Sequence, residues 1–267
     1  MQGSDFHTHT TFSDGRDTME AMVQRAIELN FHSLGISDHS CTPFDLRYCM
    51  PDGVLPSYHA ELRRMKEKYA GQIELYAGLE WDGFAELPDR ENYDYLLGDC
   101  HYVKVGERYH SVDHAREEHF CTIHDCFAGN ALAYVRAYYD TYVACTRQNR
   151  PDILGHFDLV RKFGAVSVDD PKYQGLAKDA MAACLEVTPI VELNMNPLAR
   201  KLRTTPYPED FLLRFIREQG GKMMLCSDAH STQQLGGYFD EGRQHLRAAG
   251  FRSVVTLRGG CFTEVEL

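Results

Sequence analysis

The stretch GSDFHTHTTFSDG, residues 3–15, decides how the rest of the chain is read. Residues 3–7 have the pattern of a short first strand that runs into His7-Thr8-His9. Side chains two apart on a strand point to the same face. Both imidazoles can therefore reach one metal ion. Asp14 follows in the next loop and can reach the same ion or a neighbouring one. A lone pair of this kind is a weak signal, and its weight comes from what recurs further along.

Outward from this stretch, Thr18 is a plausible N-cap, and Met19, Met22, Val23, Ala26 and Ile27 form a helical stripe, which predicts a helix over 18–29. Further helices are expected over 57–70, 128–148, 175–183, 208–219 and 239–249. Strands are expected over 33–37, 73–79, 95–100, 153–156, 190–193, 222–226 and 253–257. Alternation of this length implies an α/β fold with a parallel sheet. With seven or eight strands and no glycine-rich phosphate loop after the first, a closed barrel is favoured over an open doubly wound sheet. The 267 residues show no linker, repeat or low-complexity tract, so one domain over 1–267 is expected.

The net charge of −11 argues against a broad nucleic-acid surface, which needs a basic patch. It leaves an anionic small substrate open, because bound cations reverse the local field. Nine cysteines, odd in number and without CxxC spacing, read as reduced and mostly buried thiols. With no basic leader and no apolar run of membrane-spanning length, a cytoplasmic protein with no membrane partner is expected.

The strand ends carry the chemistry. They supply His7 and His9 with Asp14, then Asp38-His39, Glu80, His101, His156, Glu192 with Asn194, and Asp228-Ala229-His230. In α/β barrels function collects at the C-terminal ends of the strands. Seven successive strands deliver an imidazole or a carboxylate there, and this makes metal-dependent chemistry the leading reading. The remaining histidines, such as His32, His59, His119 and His245, lack metal-ligand spacing. Tyr134, Tyr138, Tyr139 and Tyr142 fit one helix face and read as packing.

The order HTH (7–9), SDG (13–15), SDH (37–39), GLE (78–80), CH (100–101), GHFD (155–158) and SDAH (227–230) resembles the PHP family, the polymerase and histidinol phosphatase group of metal-dependent phosphoesterases. The likeness runs from His7 to about Gly237. GHFDLVRKF at 155–163, ELNMNPLARK at 192–201 and the segment 101–113 are similar to the monofunctional histidinol-phosphatase branch. The resemblance implies a distorted (β/α)7 barrel and a trinuclear metal centre. The first metal would take His7, His9, Glu80 and Asp228. The second would share Glu80 and add His101 and His156. The third would take Asp14, His39 and His230. A mixed nitrogen and oxygen set without thiolates admits three divalent ions of Zn, Mn or Fe.

The resemblance further implies hydrolysis of a small-molecule phosphate monoester, L-histidinol phosphate, to L-histidinol and phosphate in histidine biosynthesis, through a metal-activated water. Arg161 and Arg200 are the candidates for a catalytic and substrate-binding phosphate clamp, because guanidinium matches phosphate geometry. The candidates for the proton donor are Asp228, also a ligand, and a metal-bound water. Glu192, Asp158 and the segment 101–113 are candidate sources for reading the substrate's amine and imidazole. Two alternatives stay open. One keeps the metals and changes the ester to another monoester, a diester or a nucleic-acid end. The other is a non-catalytic barrel that senses or stores metal.

Overall fold

A computed structural model describes residues 3–86 and 89–267. Its first element, β1 (Ser4–Asp5), pairs in parallel with β2 (Ser33–Ile36), which pairs with β3 (Glu74–Ala77). Between them lie α1 (Met19–Glu28), capped by the Thr18 hydroxyl on the Ala21 amide, and α2 (Leu55–Lys68). The chain steps through Gly78 and Leu79 into β4 (Glu80–Asp82), and a parallel bridge between His39 and Glu80 joins β4 to the line of β2. The β4 strand pairs with β5 (Leu97–Asp99). An excursion follows: a hairpin of β6 (Tyr102–Val105) and β7 (Arg108–Ser111), then α3 (Arg116–Phe127) and α4 (Ala131–Asn149).

From β5 the sheet continues through β8 (Ile153–Leu154) to β9 (Ile190–Asn194), with α5 (Pro171–Leu185) between those two. It goes on to β10 (Lys222–Cys226), preceded by α6 (Asn196–Ala199) and α7 (Asp210–Glu218). The ring closes at Thr8 and Ala229, where the His9 amide meets the Ala229 carbonyl at 2.9 Å and the Ala229 amide meets the His7 carbonyl at 3.2 Å. With β3 and β4 as one broken stave, seven staves surround the core. The barrel is distorted because, among the described residues, β4 and β5 are joined by a loop with one 3-10 turn and no α-helix.

The eighth expected strand is not a stave. After α8 (Phe239–Ala249), β11 (Ser253–Arg258) and β12 (Cys261–Glu266) form an antiparallel hairpin. Its backbone and hydroxyls meet Ser4, Ser33 and Glu74, the first residues of β1, β2 and β3. It thus stoppers the N-terminal mouth, and Val255 and Leu257 pack with Phe6, Tyr76, Leu97, Ile153 and Ile190 in the barrel interior. Tyr95 crosses that interior and donates to the Phe6 carbonyl at 2.6 Å. Its ring fits because the flanking positions are glycine: a Cβ at Gly35 or Gly78 would stand 2.1 or 2.3 Å from it.

Two other expectations change. The helix expected over 128–148 begins at Ala131, because Ala128 turns left-handed (φ +50°) to end α3 and the Asn130 side chain caps α4. The helix expected at 175 begins at Pro171, behind the cap Asp170. The four tyrosines of α4 are buried as packing residues, and the Tyr142 hydroxyl also donates to the carbonyls of Gly98 and Gly155. All nine cysteines are free; Cys49, Cys100, Cys184 and Cys226 are buried, whereas Cys121 and Cys261 are exposed. Among the described residues no helix is long and apolar enough to cross a membrane.

Candidate metal centre

The C-terminal mouth of the barrel gathers nine side chains named from the sequence: His7, His9, Asp14, His39, Glu80, His101, His156, Asp228 and His230. Glu80 lies at the middle. One of its oxygens is 2.7 Å from His39, 3.2 Å from His7 and 3.4 Å from His9; the other is 2.9 Å from His156 and 3.3 Å from His101. Asp228 approaches His9 at 3.2 Å and His230 at 3.4 Å. Asp14 approaches His230 at 3.3 Å and His39 at 3.6 Å. His39 therefore stands between Glu80 and Asp14, and the His9 ring stacks on His230 at 4.1 Å between centroids. The groups run into one another more than three separate ligand sets would suggest.

Local chemistry aims these side chains. Asp38 takes the amides of Thr10 and Ser13 and both their hydroxyls, which folds the 10–14 loop so that Asp14 turns inward. Gly15 is needed there, since a Cβ would lie 2.6 Å from the His9 and Thr10 backbone. Asp228 sits at φ +51°, a left-handed conformation that a non-glycine residue seldom adopts. The far nitrogens of three histidines face carboxylates: His7 meets Glu192 at 2.6 Å, His101 meets Asp82 at 3.1 Å and His156 meets Asp99 at 3.1 Å. Such partners fix the ring and tautomer and turn the near nitrogen to the centre.

The residues suit cations. His7 Nε2, both ring nitrogens of His9 and Glu80 Oε2 are buried without a hydrogen-bond partner, and orphaned buried polar atoms are rare and costly. Burial opposes charge throughout the cluster, yet the acids win locally. His39 and His7 hold the Glu80 carboxyl far below the usual range, and His7, His9 and His230 do the same for Asp228. The His9 imidazole is pushed down to about 3 by burial and by the neighbouring His230 and His39, which leaves it neutral and able to ligate. His156 and His230 are raised to about 9 against the cost of burial, chiefly by Asp99 and Asp14 respectively. A field that draws protons onto imidazoles is one that holds metal cations. An Asp228 carboxyl kept ionised suits a ligand better than a proton donor, the other of its two candidate roles.

A cavity opens on the cluster, walled by Tyr48, Asp113, Lys162, Pro197, Arg200 and Tyr207 among others. Arg200 reaches it. Arg161 does not, and this corrects the expected clamp. Its guanidinium is 3.3 Å from Glu209, also bonds the Val166 carbonyl, and lies over the Tyr173 ring. The 3-10 turn Leu159–Arg161 rotates it away from the cavity and presents the next residue, Lys162, to it. Lys162 is the cation that sequence reading passed over. Asp82 and Asp99 were also missed, although each lies two residues from a cluster residue in the strand direction.

The sequence matches the PHP domain over residues 5–196, the larger part of the chain. The chain belongs to the PHP domain family. Among curated relatives, a Deinococcus radiodurans protein named probable histidinol-phosphatase is 28% identical over 94% of this chain and 95% of its own. The histidinol-phosphatase of Bacillus subtilis is 26% identical over 88% and 96%. Among solved structures, histidinol phosphate phosphatase from Lactococcus lactis, complexed with Zn, L-histidinol and phosphate, superposes with a TM-score of 0.75 at 18% identity, covering 98% of this chain and 99% of that one. At that identity the likeness establishes the PHP fold.

Proposed function

We propose that this PHP protein is a histidinol-phosphatase that hydrolyses L-histidinol phosphate to L-histidinol and phosphate in histidine biosynthesis, working as a single domain in the cytoplasm. The observation that carries the reading is the cluster of nine histidine and carboxylate groups, six of them buried, opening on a small cavity with Arg200 and Lys162 on its wall. Relatives named histidinol-phosphatase that align over almost their whole length support it.

His7, His9, Asp14, His39, Glu80, His101, His156, Asp228 and His230 would hold three divalent ions, of Zn, Mn or Fe. Ions bound there supply Lewis acidity and make a water molecule nucleophilic at neutral pH. Glu80 offers both oxygens to the centre and ties its two halves together. Glu192, Asp82 and Asp99 keep His7, His101 and His156 oriented. Arg200 and Lys162, both on the cavity wall, would pair with phosphate oxygens and offset the charge that builds on them during displacement.

Phosphate release from L-histidinol phosphate tests this, with chelated protein beside samples restored with Zn, Mn or Fe, and with an aryl phosphate and a diester as comparators. Metal-dependent release that favours histidinol phosphate is expected. Preference for the diester, or silence on every ester with metal bound, would overturn the reading.

A further inference from the structure

The cavity wall carries a charge pattern that says more about the ester than that it is a phosphate. Outside the nine-residue cluster, two carboxylates line the cavity among the described residues, Asp45 and Asp113. Asp45 is already saturated. Arg47 engages both of its oxygens, and the Tyr102 hydroxyl donates to it at 2.9 Å. Two other acids that could meet a substrate amine lie out of its reach. Glu192 is buried against His7 and the His156 amide, and Asp158 is fully buried, takes the Glu209 amide on one oxygen and does not line the cavity.

Asp113 differs. One of its oxygens is 3.0 Å from Lys162 Nζ, and the other takes only the Ser111 hydroxyl at 3.3 Å. An ionised carboxylate accepts up to about four hydrogen bonds, so capacity remains. The side chain is one-quarter exposed, and it faces the same cavity as Lys162 and Arg200.

We propose that the Asp113–Lys162 pair selects phosphate esters of 1,2-amino alcohols. Lys162 takes a phosphate oxygen and Asp113 takes the ammonium on the neighbouring carbon. In such an ester, anion and cation sit a few bonds apart, and the internal ion pair presents the complementary charges at matching separation. Binding exchanges one ion pair for two and leaves neither protein charge unpaired, which keeps the desolvation cost low. An ester without the amine takes Lys162 and strands Asp113 in the cavity wall, and an unpaired polar group of this kind is how a site rejects an analogue. The inference rests on the phosphomonoesterase reading above and narrows it to a substrate class.

The experiment starts with the unaltered metal-loaded protein. kcat/KM is compared for L-histidinol phosphate and its des-amino counterpart 3-(imidazol-4-yl)propyl phosphate, and for 2-aminoethyl phosphate and ethyl phosphate. Each pair differs only in the amine. A preference of about 10- to 100-fold for the amine, carried mainly by KM, is expected. In Asp113→Asn the ratio within each pair should collapse toward one, and Asp113→Glu should restore part of it. A ratio near one in the unaltered protein, or an equal loss on both members of a pair in Asp113→Asn, overturns the proposal. Failure to hydrolyse histidinol phosphate alongside a clear preference for 2-aminoethyl over ethyl phosphate would sink the histidinol reading and leave this one standing. Turnover of neither pair overturns both.

Discussion

Glu80 is the residue on which the centre depends, because its two oxygens face different sets of imidazoles. Glu80→Gln keeps the shape and removes the charge. Turnover should fall by at least about a thousandfold, with a native circular-dichroism spectrum and reduced metal content. Full activity in that variant would rule out the bridging role. The two arginines should separate cleanly. Arg200→Ala should raise KM for the phosphate ester by about tenfold or more and leave the melting temperature nearly unchanged. Arg161→Ala should instead cost about 2–3 kcal/mol of stability, less than the loss of a whole buried pair because Arg203 remains on Glu209. Steady-state kinetics beside denaturant melts of the two variants decide this. Single residues were legible where chemistry and strand period coincide, as at His7 and His9. Arg161 was misread because it lies in a 3-10 turn, where one residue is a rotation of about 120° and no periodic pattern says which neighbour faces inward.

Among the elements, the staves and the helices α1, α2, α7 and α8 follow from apolar periodicity, since each helix buries one apolar stripe and leaves the other face polar. The β6–β7 hairpin and α3 were not legible. The hairpin lies outside the barrel ring, turning at Gly106 and Glu107, and its residues divide between the cavity and solvent, so no clean alternation marks it. One element contact has a pH signature. His245 on α8 lies 2.7 Å from Asp210 on α7, and their hydrogen bond raises the pKa of the histidine and lowers that of the aspartate. The stabilisation is complete between the ordinary carboxylate and imidazole values, about 4 and 6.5. It fades above that window as His245 loses its proton through its raised pKa, and below it as Asp210 gains one through its lowered pKa. Both groups are partly exposed, so the pair contributes less than about 1 kcal/mol. His245→Gln should therefore lower stability slightly at pH 5.5 and hardly at all at pH 9, measured by denaturant melts at both.

For the whole molecule, the closed parallel barrel was legible from the number and spacing of the strands, and its stopper was not. An apolar run such as 253–257 looks the same whether it becomes a stave or a plug; partners far along the chain decide. The plug makes a strong prediction. Leu257 carries no chemistry and lies at the opposite mouth from the site, yet Leu257→Ala should cost about 2–4 kcal/mol because it opens a void in the barrel interior. Metal content and kcat of the folded fraction should be unchanged. A parallel loss of metal would mean that the two mouths are coupled.

The rung between Thr8 and Ala229 has a consequence for how the molecule is made. Seven of the nine cluster residues lie within the first 160 positions, whereas Asp228 and His230 follow β10, some seventy residues later. A growing chain on the ribosome therefore carries most of the donors long before it can arrange them. The rung that brings β1 beside β10 is the same one that sets Asp228 against His9. Completion of the nine-residue cluster and closure of the ring are then a single late event, and chains released early would expose a half-built, histidine-rich rim.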